Sequence, residues 1–245
     1  MKIKPEPLEL PFSSDGFSLH GILHLPKDPH PPFVVGSHGL MSSSESSKQI
    51  RLGEELSTAG IAFFRFDHRG CGKSDGLLKD VTSLGSRIND LLSAVRTLCS
   101  RKGIGKFLGV FGSSMGGAVC LAAASMIHIP SMAILAAPVK SRGISRSGEQ
   151  SHNPNAAPDW FDASHLQFDL TSQLFRVKNV LILHGDDDEV VPFSNARLIY
   201  KNTGKPKRLV RFTGGDHVIS NPLHQNELIQ ETTGWFIRAA RDFLK

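Results

Sequence analysis

The chain has 245 residues, a formal charge of +5 at neutral pH, 40% apolar and 21% charged residues. That length lies near the ~250 to 300 residues at which single cores stop growing, and the composition lacks the low hydrophobicity and high net charge that prevent packing, so one domain over 1–245 is expected. The basic residues are scattered, without aromatic-basic interleaving or a DNA-binding signature, which argues against a nucleic-acid partner.

The first sixteen residues, MKIKPEPLELPFSSDG, carry lysines and prolines where a signal peptide needs its apolar stretch. No run approaches the ~18 apolar residues of a membrane span. A cytoplasmic protein without an integral membrane segment is the expectation. Two strand-like runs, LELPF and FSLHGILHL, flank Asp15-Gly16, a hairpin signal. From Phe33 onward the runs FVVGSHG, IAFFRFD, KFLGVFG, SMAILAAP, NVLILHG and KRLVRFTG read as continuously apolar, as strands covered on both faces do. Helical patterns lie between them. ESSKQIRLGEELSTAG puts Ile50, Leu52 and Leu56 on one side with Gly60 as a stop, and SRINDLLSAVRTLCSR places Ile88, Leu91, Leu92, Val95 and Leu98 together. Such alternation predicts an α/β class chain: about eight mostly parallel strands with an N-terminal antiparallel hairpin and helices on both faces. Its reactive groups should sit in loops at the carboxyl ends of the strands.

Cys71, Cys99 and Cys120 are far apart and lack CxxC or His-rich spacing. Neither a disulfide framework nor a metal site is indicated, and buried thiols are expected. The interval from Val139 to Val177 breaks the rhythm, being polar first and then dotted with Trp160, Phe161, Leu166 and Phe168. It is too long for a simple connection. A small lid whose four apolar residues contact substrate is expected; a disordered surface insertion is the alternative.

Gly112-Ser113-Ser114-Met115-Gly116 matches G-x-S-x-G only when Ser114 is central, since centring on Ser113 puts Phe111 and Met115 where the glycines belong. KFLGVF before it reads as a strand and MGGAVCLAAASMI after it as a helix, so the pentapeptide is a sharp strand-to-helix turn. Any Cβ two residues either side of the serine would collide across such a turn. The Met115 N–H, at the positive end of the helix, would face a developing oxyanion. A serine hydroxyl needs a base, and the base an orienting acid. His217, in the Gly-rich loop of VRFTGGDHVIS, is the candidate base. His152 and His165 fall in the expected lid, His184 closes a strand and His224 begins the last helix; these read as surface, structural or substrate-contacting. Asp186, Asp187, Asp188 and Glu189 are adjacent, and spacing alone does not rank them as the acid.

Taken together, SHGL, FDHRGCGKSDG, GSSMGG, HGDDDEVVP and GGDH resemble the α/β-hydrolase superfamily, in the right order across nearly the whole chain. Within it the chain is most similar to compact, short-lidded carboxylesterases: the bacterial cinnamoyl and feruloyl esterases and the monoglyceride-lipase or serine-aminopeptidase relatives. The resemblance implies an α/β-hydrolase fold. It lays H-G-x-x-D-x-x-V-P on His184, Gly185, Asp188, Val191 and Pro192, which implies Asp188 as the acid with Asp187 as the fallback. It also lays H-G on His38 and Gly39, which implies the Leu40 N–H as the second oxyanion donor, beside Met115, and a structural role for His38. GCGKS suggests a phosphate loop, but that motif needs glycine at the position of Asp67, so nucleotide binding is not expected. Asp67, Arg69, Gly70, Gly72 and Ser74 read instead as a structural loop.

The expected activity is hydrolysis of a small-molecule carboxylic ester through an acyl-serine, with no metal or organic cofactor. Ester hydrolysis leads because the chain has no room for a large extra domain that would restrict access to peptides. Thioester hydrolysis, aminopeptidase or amidase action, carbon–carbon bond hydrolysis and a non-catalytic binding protein of the same fold stay open.

Overall fold

The computed structural model describes residues 6–141 and 166–243. Strands β1 (Leu8–Glu9), β2 (Phe12–Ser14), β3 (Phe17–Leu19) and β4 (Gly21–His24) form the amino-terminal part. Asp15 and Gly16 turn the chain with φ of 47° and 85°, the positive values that a two-residue hairpin turn needs. Each of the two runs flanking this turn is divided between two sheets. Leu8 and Glu9 pair with Leu23 and Ile22 in the main sheet, whereas β2 pairs with β3 as a separate ribbon. Pro11 sits at the break, where it has no N–H to continue the ladder. The ribbon docks through Phe12, whose ring meets Phe64 and Phe66 edge-on at 5.6 and 5.5 Å.

The remaining strands are β5 (Phe33–Ser37), β6 (Ala62–Phe66), β7 (Phe107–Ser113), β8 (Met132–Leu135), β9 (Val180–Gly185) and β10 (Lys207–Phe212). The main sheet runs β1-β4-β6-β5-β7-β8-β9-β10. Only its β1–β4 and β4–β6 pairings are antiparallel; the others are parallel. Successive side chains of a strand face opposite ways. In β9, Val180 and Ile182 therefore join one apolar cluster, and Leu181 and Leu183 the other. The first cluster is covered by α3 (Leu84–Cys99), α4 (Met115–Ala123) and α5 (Ser194–Asn202), the second by α1 (Ser47–Thr58) and α6 (Pro222–Phe243). Burial on both faces is why these strands read as unbroken apolar runs.

Helix α3 begins at a capping box, Ser83 and Ser86 each bonding the other's backbone N–H, and buries all five predicted apolar residues. It also buries Arg87 and Asp90, which the apolar pattern had not singled out. Helix α1 buries Gln49, Leu52 and Leu56, with Ile50 only half-buried. A single turn, α2 (Leu78–Val81), precedes α3. Cys71 and Cys120 are buried, but Cys99, the last residue of α3, is exposed, contrary to the expectation for all three thiols.

Because β5, β6, β7, β9 and β10 point the same way, their carboxyl ends gather the loops carrying His38–Leu40, Asp67–Ser74, Ser114, Asp186–Glu189 and His217 along one edge of the sheet. The flanks of the 139–177 interval are packed. Lys140 bridges Asp169 antiparallel, Ser141 N–H donates to Phe168 O at 3.0 Å, and Leu170 N–H to Val139 O at 2.9 Å. Val139, Leu170, Leu174 and Val177 are buried around a 3₁₀ turn over Thr171–Arg176. Leu166 belongs to the main apolar cluster and Phe168 packs against it, although neither showed a core periodicity in sequence. Trp160 and Phe161, like His152 and His165, lie outside the described residues. Among the described residues no helix is long and apolar enough to cross a membrane.

Candidate active site

Ser114 follows β7 and caps α4 with φ 53° and ψ −122°, a backbone conformation that side chains other than hydrogen rarely adopt. The turn is over-determined by its neighbours. A Cβ at Gly112 would collide with the Gly116 carbonyl, and one at Gly116 with the Ser37 carbonyl of the adjacent strand. The Ser114 N–H donates to Leu135 O at 2.8 Å, and its carbonyl accepts from Gly117 N–H at 2.9 Å. With its backbone tied, Ser114 sends Oγ to His217 Nε2, 3.0 Å away. Ser113 instead stays in the ladder opposite Leu135.

The four adjacent acids have separate partners. Asp186 pairs with Arg211 and accepts from Gly214 N–H at 2.6 Å, pinning the end of β10 to that of β9. Asp187 and Glu189 are exposed. Asp188 is buried, and its carboxylate lies 2.9 Å from His217 Nδ1. Its Oδ1 accepts from Val190 N–H at 2.9 Å and Val191 N–H at 2.7 Å. Burial acts to raise the Asp188 pKa, but hydrogen bonds from His184, His217 and Val191 outweigh it and hold the carboxyl well below the usual range. An ionised carboxylate only accepts hydrogen bonds, so the His217 proton sits on Nδ1 and leaves Nε2 to accept from Ser114. His184, fully buried, brings Nε2 to 2.8 Å from Val191 O and 3.1 Å from Asp188 Oδ2. It thus braces the same carboxylate, at the oxygen that His217 also approaches, a role that its place in the H-G dipeptide did not reveal.

The loop after β5 lies against the serine, since a methyl group added at Gly39 would sit 3.5 Å from Ser114 Cβ. Among the described residues no hydrogen bond takes up the Leu40 N–H or that of Met115, the first helical residue. His38 is fully buried. Its Nε2 accepts from His68 N–H at 3.0 Å, which leaves Nδ1–H to donate to Gly39 O at 2.7 Å. Burial, with the neighbouring His68 and Arg87, pushes the His38 pKa far below its ordinary value, so the ring is neutral. Behind it, Ser37 Oγ meets His68 Nε2 at 2.8 Å, and Asp90 holds Arg69 through Nε at 2.9 Å and Nη2 at 2.7 Å. Asp67 accepts from Ser44 N–H at 2.6 Å and Lys73 N–H at 3.0 Å, so its carboxylate is spent on loop backbone.

Among the described residues no group of three or more His, Cys, Asp or Glu side chains is arranged to hold a metal ion. A shallow depression lined by Ser125, Met126, His128 and Phe175 lies beyond the far end of α4 from Ser114 and shares no residue with the site.

Residues 28–150 match the family model described as Hydrolase_4, serine aminopeptidase, S33. The chain belongs to this family. The matched span includes Ser114 and the His38–Leu40 loop and ends before Asp188 and His217. Similar proteins include the uncharacterized protein YfhR of Escherichia coli O157:H7, 24% identical over 216 residues that cover 84% of this chain and 70% of YfhR. A monoglyceride lipase of Saccharomyces cerevisiae is 43% identical over 77 residues, 30% of this chain and 24% of that one. Est1E from Butyrivibrio proteoclasticus, solved with ferulic acid bound, superposes with a TM-score of 0.79 at 24% identity, over 95% of this chain and 99% of Est1E. The fold is that of the α/β hydrolases.

Proposed function

We propose that this family member hydrolyses carboxylic esters, with Ser114 as nucleophile, His217 as general base and acid, and Asp188 as its orienting carboxylate. The observation that carries the reading is the continuous chain from Ser114 Oγ through both ring nitrogens of His217 to Asp188, at 3.0 and 2.9 Å. In the first step Oγ bonds to the ester carbonyl carbon while its proton passes to His217 Nε2. The carbonyl oxygen becomes an oxyanion facing the N–H groups of Leu40 and Met115; each such donor is typically worth ~100 to 1,000-fold in rate. The C–O bond to the alcohol then breaks as His217 returns the proton to that oxygen. Water repeats the sequence on the acyl-serine: His217 takes its proton as the oxygen attacks the carbonyl carbon, the bond from that carbon to Ser114 Oγ breaks, and His217 returns the proton to Oγ as the acid leaves. Asp188 keeps the imidazole in one tautomer and stabilises its charged form throughout.

The ester reading draws support from the matched segment of a monoglyceride lipase and from the ferulic acid in the Est1E structure, an acid of the kind that ester cleavage releases. It extends to a cytoplasmic enzyme of one α/β-hydrolase domain over 1–245, with 139–177 as a small lid whose Trp160, Phe161, Leu166 and Phe168 bind the acyl or alcohol group. A fluorophosphonate probe, followed by an ester series graded in acyl length and including aromatic acyl groups, tests it. Labelling at Ser114 with turnover of one ester class is expected; a folded protein that neither labels nor turns over any ester would sink the proposal, and faster turnover of matched thioesters or amides would move it to those substrates.

A further inference from the structure

Arg87 is the largest fully buried side chain among the described residues. It is a helix residue on the apolar stripe of α3 that also carries Leu91, Ala94 and Leu98. Burying a guanidinium is costly unless it is paired, and buried cations commonly meet a carboxylate. Here, among the described residues, none of the hydrogen bonds goes to one. Nε donates to Thr82 Oγ1 at 3.1 Å, Nη1 to His38 O at 3.3 Å and Gly39 O at 3.5 Å, and Nη2 to Leu40 O at 3.2 Å and Cys71 Sγ at 3.3 Å. The nearby Asp90 is occupied by Arg69.

The three carbonyls are consecutive, and they belong to the loop that lies against Ser114. In a trans peptide the C=O of one residue and the N–H of the next point in opposite directions. Drawing the carbonyls of His38, Gly39 and Leu40 toward one buried cation therefore turns the N–H groups of Gly39, Leu40 and Met41 away from it. The His38 ring adds a second hold on the Gly39 carbonyl, the very peptide that carries the Leu40 N–H. A cation at the carbonyl end of a peptide in a low-dielectric interior also polarises it, which makes the opposite N–H a stronger donor.

We propose that Arg87 is the positioning residue of the oxyanion site, its planar fork fixing three successive peptides so that the Leu40 N–H faces the reacting carbonyl. It touches no substrate. Its effect passes entirely through the backbone of residues 38–41, and Thr82 and Cys71 steady the guanidinium. Cys71 remains a neutral thiol, because burial raises its pKa. Lysine does not reproduce this device, since a single ammonium on a flexible stem lacks the flat, divergent donors that reach three carbonyls.

Because this role presupposes the ester-hydrolase reading, the test compares an ester with its thionoester, in which sulfur replaces the carbonyl oxygen and accepts hydrogen bonds poorly. Wild-type enzyme should prefer the ester. In Arg87→Met and Arg87→Lys, kcat for the ester should fall by about 10- to 100-fold, below the full value of a deleted donor, with KM changed far less. The thionoester, which profits little from the donors, should lose less, so the ester-to-thionoester ratio should shrink. Equal losses on both substrates in folded variants would overturn the positioning role and leave Arg87 as packing; so would an unchanged kcat. Should Arg87→Met fail to fold, the ratio in Arg87→Lys decides by the same criterion. Failure of the ester reading itself shows in the wild type, as absent turnover, and never as a change confined to the variants.

Discussion

The two segments that meet at Ser114, its own strand-to-helix turn and the His38–Leu40 loop, are held by opposite means. At Ser114 the chain is forced into its turn by the absence of side chains: Gly112 and Gly116 let β7, α4 and the Ser37 carbonyl approach so closely that no Cβ fits. Everything needed lies within five residues or on the next strand. The His38–Leu40 loop is held by presence instead, by a ring 30 residues away from its backbone partner and by a guanidinium 47 to 49 residues further along the chain. A strained turn needs room, whereas an irregular loop needs every carbonyl answered. The first tolerates almost no enlargement, and the second almost no shortening.

The sharpest way to break this comparison is at the serines. Ser114→Ala should lower kcat/KM by ~10⁴-fold or more, because the members of the proposed triad would act as a unit, while Ser113→Ala, a change within the β7–β8 ladder, should retain most activity. Comparable losses in two well-folded variants would mean that the turn, and not the Ser114 hydroxyl, limits the rate. Nearly as large an effect is expected at the acid. Asp188→Asn removes the acceptor that fixes the His217 tautomer and should cost ~10⁴-fold in kcat, against little for the exposed Asp187→Asn. A silent Asp188→Asn beside a crippled Asp187→Asn would shift the acid by one residue.

The turn and the alternation of strands and helices along the chain were legible because they are written in short-range patterns. G-x-S-x-G between an apolar strand and an apolar helix specifies Ser114 without reference to distant residues, and the alternation after Phe33 specifies the parallel sheet. The proposed acid was not legible from spacing: four neighbouring carboxylates differ only in what they meet in space, Arg211 for Asp186 and two histidines for Asp188. The resemblance to a family pattern ranked them where spacing did not. Arg87 and Asp90 were hidden differently. Both sit within a stripe that reads as apolar, and a charged residue there is the one signal that a helical projection of α3 offers for the network beneath the loop. The division of the amino-terminal hairpin between two sheets falls at Pro11, a residue whose missing N–H the alternation of apolar residues does not register.

A smaller effect is expected from enlarging the turn. Gly116→Ala drives a Cβ into the Ser37 carbonyl, so β5 or α4 must shift. Overpacking of this kind typically costs about 1–3 kcal/mol of stability, and a displacement near 1 Å at the reacting groups costs about 100-fold in rate. Chemical denaturation and kcat/KM on the same sample check both. If Gly116→Ala proves neutral in each, the turn is looser than its close approaches imply. Ser42→Ala, nearby but at an exposed position, serves as the control.

The smallest expected effect lies in the polar network beneath the loop and is read by pH. His68 is buried; desolvation first, and then the Arg87 cation, lower its pKa to about 4 in spite of Asp90 and Asp67 nearby. In the unfolded chain the same ring takes its proton near ~6.5. Between those two values the unfolded state binds more protons than the folded one, so the contribution of His68 to stability is complete above pH ~6.5 and declines as the pH falls through about 4. His24, lowered to about 4 by burial and then Arg65, and His38, lowered further, act in the same direction. Thermal melting of the wild type should therefore lose ground steadily from pH 6.5 downward. In His68→Gln the amide has a carbonyl to accept from Ser37 Oγ and an N–H to donate toward Asp90, but it has no proton to gain, so its melting temperature should fall less steeply over that range even if it starts a little lower at pH 7. Parallel curves for the two proteins would mean that His68 takes up a proton as easily inside the fold as outside it. The Arg87 cation would then be too well screened to set the charge state of its neighbours, and the loop above it would owe its geometry to hydrogen bonding alone.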